Sequence, residues 1–137
     1  MIYVDSNVFI YSVVSKSKLA SLSKNIILQI AEGKIDGATS ILTWDEFFWV
    51  VRKTLGQEFA EIEGPRFLNI PNLKFIAADE LIITKAQKII EDYKLKPRDS
   101  IHAASAISRN IKEIISDDPD FDKIKEIKRI PIEKFRL

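Results

Sequence analysis

Five carboxylates in this sequence fall where an apolar, strand-like run stops or a helical run starts. Asp5 follows Ile2-Tyr3-Val4, Glu46 lies in the first turn of a run opened by Thr43, and Asp99 follows Pro97-Arg98. Asp117 and Asp118 follow the run Glu113 to Ser116. Each acid has a purely structural explanation. Asp5 suits a turn or cap, and Thr43-Trp44-Asp45-Glu46 fits a capping box in which Glu46 bonds back to the Thr43 amide. Asp99 suits an N-cap, and Asp118-Pro119 a cap followed by proline at the first helical position. The joint pattern suggests more. In a parallel sheet the strand C-termini and the following helix N-termini share one edge, so these acids would crowd together. Clustered carboxylates repel, and some keep their protons unless a cation joins them. Helix N-termini offset about 0.3–1 kcal/mol each, a divalent ion far more. A cluster made only of carboxylates fits Mg²⁺ or Mn²⁺, with phosphate oxygens as further ligands.

Composition narrows the chemistry. The 137 residues contain no cysteine and one histidine, which excludes thiolate sites and leaves imidazole-built zinc without ligands. Lys+Arg 21 against Asp+Glu 20 gives net +1, so any polyanion must be bound by a local patch. With 46% hydrophobic and 30% charged residues, the chain reads as one globular domain over 1–137. No signal peptide or bilayer-length apolar run is recognised, so no membrane association and a cytoplasmic location are expected.

The elements that must position the acids can be read in order. Ile2–Val4 is a buried strand, and Asn7 to Val14 a short helix begun by Ser6 and Asn7. Leu19 to Ala31 is a second helix, with Leu22, Ile26 and Ile30 at helical spacing and Gly33 at its end. Gly37 to Ile41 is a weak strand where a second one is needed. Thr43 opens a long aromatic helix closed near Gly56, and a stretch from Gln57 is expected to be helical but interrupted at Gly64-Pro65. Leu73 to Ala77 is a third strand, and Asp79 caps a helix to about Tyr93. Asp99 to Arg109 is a helix rich in Ala and Ser, and Glu113 to Ser116 a fourth strand. Lys128 to Ile132 is a fifth, placed at an edge because of Pro131. Strands alternating with helices predict an α/β fold, a mostly parallel sheet between two helical layers.

Four segments carry a resemblance. Val4-Asp5-Ser6-Asn7-Val8, Thr43-Trp44-Asp45-Glu46-Phe47, Pro97-Arg98-Asp99-Ser100-Ile101-His102-Ala103-Ala104 and Ser116-Asp117-Asp118-Pro119-Asp120-Phe121 resemble, in order, the motifs of PIN-domain nucleases, more narrowly VapC-type toxins. The resemblance implies a five-stranded parallel α/β/α sandwich and a homodimer. It further implies Mg²⁺- or Mn²⁺-dependent hydrolysis of RNA, and a small antitoxin partner whose C-terminal segment occupies the active-site groove. It makes Asp5, Glu46, Asp99 and Asp118 the catalytic and metal-holding acids, with Asp117 as the one-residue alternative to Asp118. Ser6, Asn7 and Ser116 are then expected to orient carboxylates or water.

Two other readings remain at this stage. A PIN fold without nuclease activity could serve as an RNA-binding or assembly scaffold. A haloacid-dehalogenase-like phosphatase also ends its first strand in Asp, but wants a second Asp where Asn7 stands. His102, one helical turn after Asp99, is expected to be a partly buried hydrogen bonder, since a metal-activated water needs no histidine base. Phe47 and Phe48 cannot both face one core, which leaves an aromatic surface with Trp44 and Trp49 for a dimer or antitoxin. Lys94, Lys96 and Arg98 are candidate phosphate contacts. Lys125, Lys128, Arg129, Lys134 and Arg136 are expected on an exposed strand face.

Overall fold

The computed structural model describes residues 1–136. A five-stranded parallel sheet has the order β3-β2-β1-β4-β5, built from β1 (Ile2–Val4), β2 (Gly37–Ser40), β3 (Lys74–Ile76), β4 (Glu113–Ile115) and β5 (Lys128–Ile130). The helices are α1 (Ser6–Val14), α2 (Lys18–Ala31), α3 (Thr43–Leu55), α4 (Gln57–Leu68), α5 (Glu80–Tyr93) and α6 (Pro97–Ser108), with 3-10 turns at Pro119–Lys123 and Ile132–Lys134. The α/β architecture expected from the alternation is the one observed.

The sheet separates two apolar cores. Tyr3 and Ile114 point to one side, against α5 and α6, where Ile82, Ala86, Ala103 and Ala106 lie. Ile2, Val4 and Ile115 point to the other, against Val8, Phe9, Ile30, Phe47 and Phe67 of α1 to α4. Successive residues of β1 and β4 thus serve opposite cores, as the two-residue strand period requires. All four residues of β2, Gly-Ala-Thr-Ser, are buried. Its weak strand signal has a packing cause: a Cβ on Gly37 would lie 2.9 Å from Ile30 Cδ1, so α2 crosses β2 too closely for a larger residue.

One expectation about the helices is corrected. Residues Gln57–Leu68 form one helix containing Pro65, with no interruption at Gly64-Pro65. Pro65 forfeits one backbone bond in the last turn, while Gly64 lies against Phe48, where a Cβ would approach that ring to 3.3 Å. The break expected near Gly56 is present, where a φ of 96° separates α3 from α4. At the other end of the sheet β5 is an edge strand, as anticipated, but it stops at Ile130, before Pro131, rather than running to Ile132.

Candidate active site

Because every strand is parallel, β1, β2 and β4 deliver their C-terminal residues to one edge. Asp5 ends β1, is buried, and caps α1 by accepting the Ser6 amide at 2.7 Å. Its other oxygen accepts Ser116 Oγ at 2.6 Å from the end of β4. Ser116 also accepts the Asp118 amide at 3.0 Å and Asn7 Nδ2 at 3.3 Å, so one hydroxyl joins β1, α1 and the loop after β4. The three residues expected to orient the acids therefore all contact them or each other.

Glu46 does not close a capping box. Leu42 is the residue before α3 and makes no side-chain cap, while Thr43 Oγ1 bonds Thr39 at 2.7 Å and ties the helix to β2. The Glu46 carboxylate faces the sheet edge, where Oε2 accepts Ser6 Oγ at 3.0 Å and Oε1 meets His102 Nε2 at 2.6 Å. Asp99 is likewise no N-cap. Lys96 holds that position without a side-chain bond, and Asp99 lies in the first turn of α6. Asp118 caps the following 3-10 turn through the Asp120 amide at 2.9 Å. Asp99, Asp118 and Asp120 each present a carboxylate oxygen within 4.8 Å of the other two.

Asp117 and Asp118 part company. Asp117 accepts the Ile132 amide at 2.9 Å and pins the C-terminal turn, so Asp118 is the member of the pair that joins Asp99. Asp120 was not singled out as an acid of the cluster. Its signal is the Asp118-Pro119-Asp120 spacing, which puts both acids in one tight turn.

The electrostatics report a cluster short of positive charge. Burial pushes the Asp99 carboxyl up to about 7, with Asp118 and Asp5 adding to it and His102 opposing. Burial also raises Asp5 above the usual carboxylate value, against the pull of His102 and Ser116. Glu46 ends below its usual value: burial acts upward, but His102, Ser6 and Arg98 outweigh it. Tyr11, partly buried on α1, is raised by burial and by the charges of Asp117, Asp5 and Asp118.

The donor set fits a hard divalent ion. Among the described residues, Asp99 Oδ2 is buried without a hydrogen-bond partner, an oxygen left for a ligand to satisfy. Glu46, Lys96, Arg98, Asp99 and Asp118 line an open cleft of about 450 Å³. Arg98 reaches Asp45 at 3.5 Å with both side chains exposed, a contact worth little by itself that leaves the guanidinium available.

A model of the PIN domain matches residues 2–127, and the chain belongs to that family. Comparison with curated protein sequences gave no match. Among solved structures, the fold resembles FitAcB from Neisseria gonorrhoeae (TM-score 0.75, 17% identity, covering 98% of this chain and 100% of that one). It resembles VapBC2 from Rickettsia felis bound to a promoter DNA fragment (TM-score 0.72, 19% identity, 96% and 98% covered). It also resembles a sarcin–ricin-loop-cleaving VapC toxin of Mycobacterium tuberculosis (TM-score 0.72, 13% identity, 93% and 97% covered). At these identities the likeness is one of fold. The family match answers the phosphatase alternative, in agreement with Asn7 standing where that chemistry needs an acid.

Proposed function

We propose that this chain is a Mg²⁺- or Mn²⁺-dependent endoribonuclease, the toxin of a toxin–antitoxin pair. The observation that carries the reading is one cleft lined by Glu46, Asp99 and Asp118 together with Lys96 and Arg98, with Asp5 joined to Glu46 through the Ser6 hydroxyl. In this reading those four acids hold the metal, directly or through water, with Asp120 contributing from the same turn as Asp118. The bound ion supplies Lewis-acid activation of water and neutralises charge at the scissile phosphate, for in-line hydrolysis leaving a 5′ phosphate and a 3′ hydroxyl.

The chain's own groups do the rest. Ser116 and the Ser6 amide fix the Asp5 carboxylate, Ser6 Oγ fixes Glu46, and Asn7 supports Ser116. Lys96 and Arg98 offer the strand a local cationic contact, which a protein of net charge +1 must supply in one place. Between α2 and α4 a groove of about 740 Å³, lined by Ile27, Leu28, Phe59 and Ile70, offers apolar surface to an antitoxin. Trp49, 52% exposed on α3, offers surface to a second copy. Among the described residues no helix is long and apolar enough to cross a membrane, and the proposed site of action is the cytoplasm.

The test is RNA cleavage with Mg²⁺ or Mn²⁺ by the wild type, Asp5→Asn and Asp99→Asn. Both variants should lose more than about 100-fold, beyond the loss typical of residues that only support a ligand. Undiminished cleavage in both refutes the assignment. A non-catalytic scaffold would show no stoichiometric Mn²⁺ binding by calorimetry.

A further inference from the structure

The polar pair Tyr3–His102 sits inside the apolar core beneath α6, where the proposed chemistry does not use it. Tyr3 is fully buried and His102 is 1% exposed. Phe and Leu would fill that volume without the cost of desolvating a hydroxyl and an imidazole. The contacts show what the polar atoms accomplish. Tyr3 Oη accepts the Ser40 amide at 2.9 Å, which fixes it to the end of β2. The same oxygen lies 2.6 Å from His102 Nδ1, with the two rings edge-to-face at 5.6 Å. Across the imidazole, Nε2 lies 2.6 Å from Glu46 Oε1 and 3.5 Å from Asp5 Oδ1. A bare Nε2 lone pair cannot face two carboxylates, so Nε2 carries a proton and donates it to Glu46, whether the ring is neutral or charged. If the ring is neutral, the Tyr3 hydroxyl donates to Nδ1. If charged, Nδ1–H donates to Tyr3. Either arrangement holds the imidazole plane.

We propose that Tyr3 and His102 are positioning residues that transmit the fixed geometry of β2 to the Glu46 carboxylate. The inference rests on the metal-dependent nuclease reading. The chain of contacts runs from the Ser40 backbone through a phenol and an imidazole to a side chain on a different helix. Glu46 has three rotatable bonds and stands at the open cleft. Its two oxygens are held from opposite directions, Oε1 by α6 and Oε2 by Ser6 on α1. A carboxylate held this way meets an ion without first losing rotamer freedom, as outer partners of metal ligands generally ensure.

Tyr3→Phe removes one oxygen and preserves volume. Mn²⁺ affinity measured by calorimetry should fall about 10-fold, and kcat should fall with KM unchanged. In a Glu46→Ala background the same Tyr3→Phe change should cost much less Mn²⁺ affinity, because the carboxylate that the path orients is gone. A merely structural tyrosine would cost the same in both backgrounds, and that result overturns the proposal. His102 is the only histidine, so its imidazole can be followed alone by ¹⁵N NMR without metal. The Nε2 proton should exchange faster in Tyr3→Phe, and unchanged exchange also overturns the inference. His102→Gln, which can still donate to Glu46, should recover more Mn²⁺ affinity than His102→Leu, and equal affinities count against it. Wild-type protein that neither binds Mn²⁺ nor cuts RNA refutes the nuclease reading, while the proton-exchange comparison still decides the relay.

Discussion

At the residue scale the decisive group is Asp99. Folded, it keeps its proton up to about 7, against 3.8 for an ordinary Asp. Between those values the folded chain binds more protons at this group than the unfolded chain does. Raising pH through the window therefore removes stability in the metal-free protein. In the proposed function a divalent ion competes for the same carboxylate. Mn²⁺ affinity should climb as pH rises toward about 7 and then level off, with protons released on binding below it. Calorimetry in buffers of different ionisation enthalpy checks this, and pH-independent affinity would contradict it. The Asp117–Asp118 pair gives a second expectation. Asp117→Asn should leave RNA cleavage nearly intact but lower stability by about 1 kcal/mol through its bond to Ile132. Thermal melting and a cleavage assay separate the two effects. Which of the pair faces the cleft is set by the docking of the C-terminal turn, a tertiary contact with no local mark. The placement of Asp5, Glu46 and Asp99 at one sheet edge was legible because strand ends and helix starts announce themselves. The full burial of His102 was not, since its partners Tyr3 and Glu46 are 99 and 56 residues away.

At the scale of elements, the strongly patterned pieces came through and the exceptions have local causes. The helix capped by Asp79 begins as read, with the Asp79 side chain accepting the Ile82 amide at 3.0 Å. The weak second strand proved real because neighbouring elements demand small residues there. Gly37→Ala should therefore destabilise by about 1–3 kcal/mol despite alanine's better backbone economy, since Ile30 is buried and has little room to yield. Chemical denaturation measures it, and a neutral or stabilising result would show that α2 can shift. The misread break at Gly64-Pro65 follows from treating proline as a stop, when near a helix C-terminus it removes one bond and packing on Phe67 keeps the turn. Arg129 was expected on a solvated face. It instead forms a two-point pair with Asp122 at 3.0 and 3.1 Å and donates to the Ser116 carbonyl at 3.1 Å. The edge strand thereby braces the loop that carries Asp118.

For the molecule as a whole, the two cores share one thin sheet, and most of its strands are three residues long. Neither side can lose its packing without exposing the strands that serve the other. Ile114→Ala and Ile115→Ala empty opposite cores, and each should cost about 2–5 kcal/mol. Both should lower the same single calorimetric transition, and a second resolved transition in either variant would show the layers melting separately.

The neighbouring acids after β4 also work as a fork. One prong grips the departing chain at Ile132, and the other turns into the cleft. Deleting a single residue between Ser116 and Pro119 would leave one prong to do both errands. Either the tail comes loose or the basin loses an acid, so a change of length here disturbs both tasks at once, where a substitution at either position disturbs one.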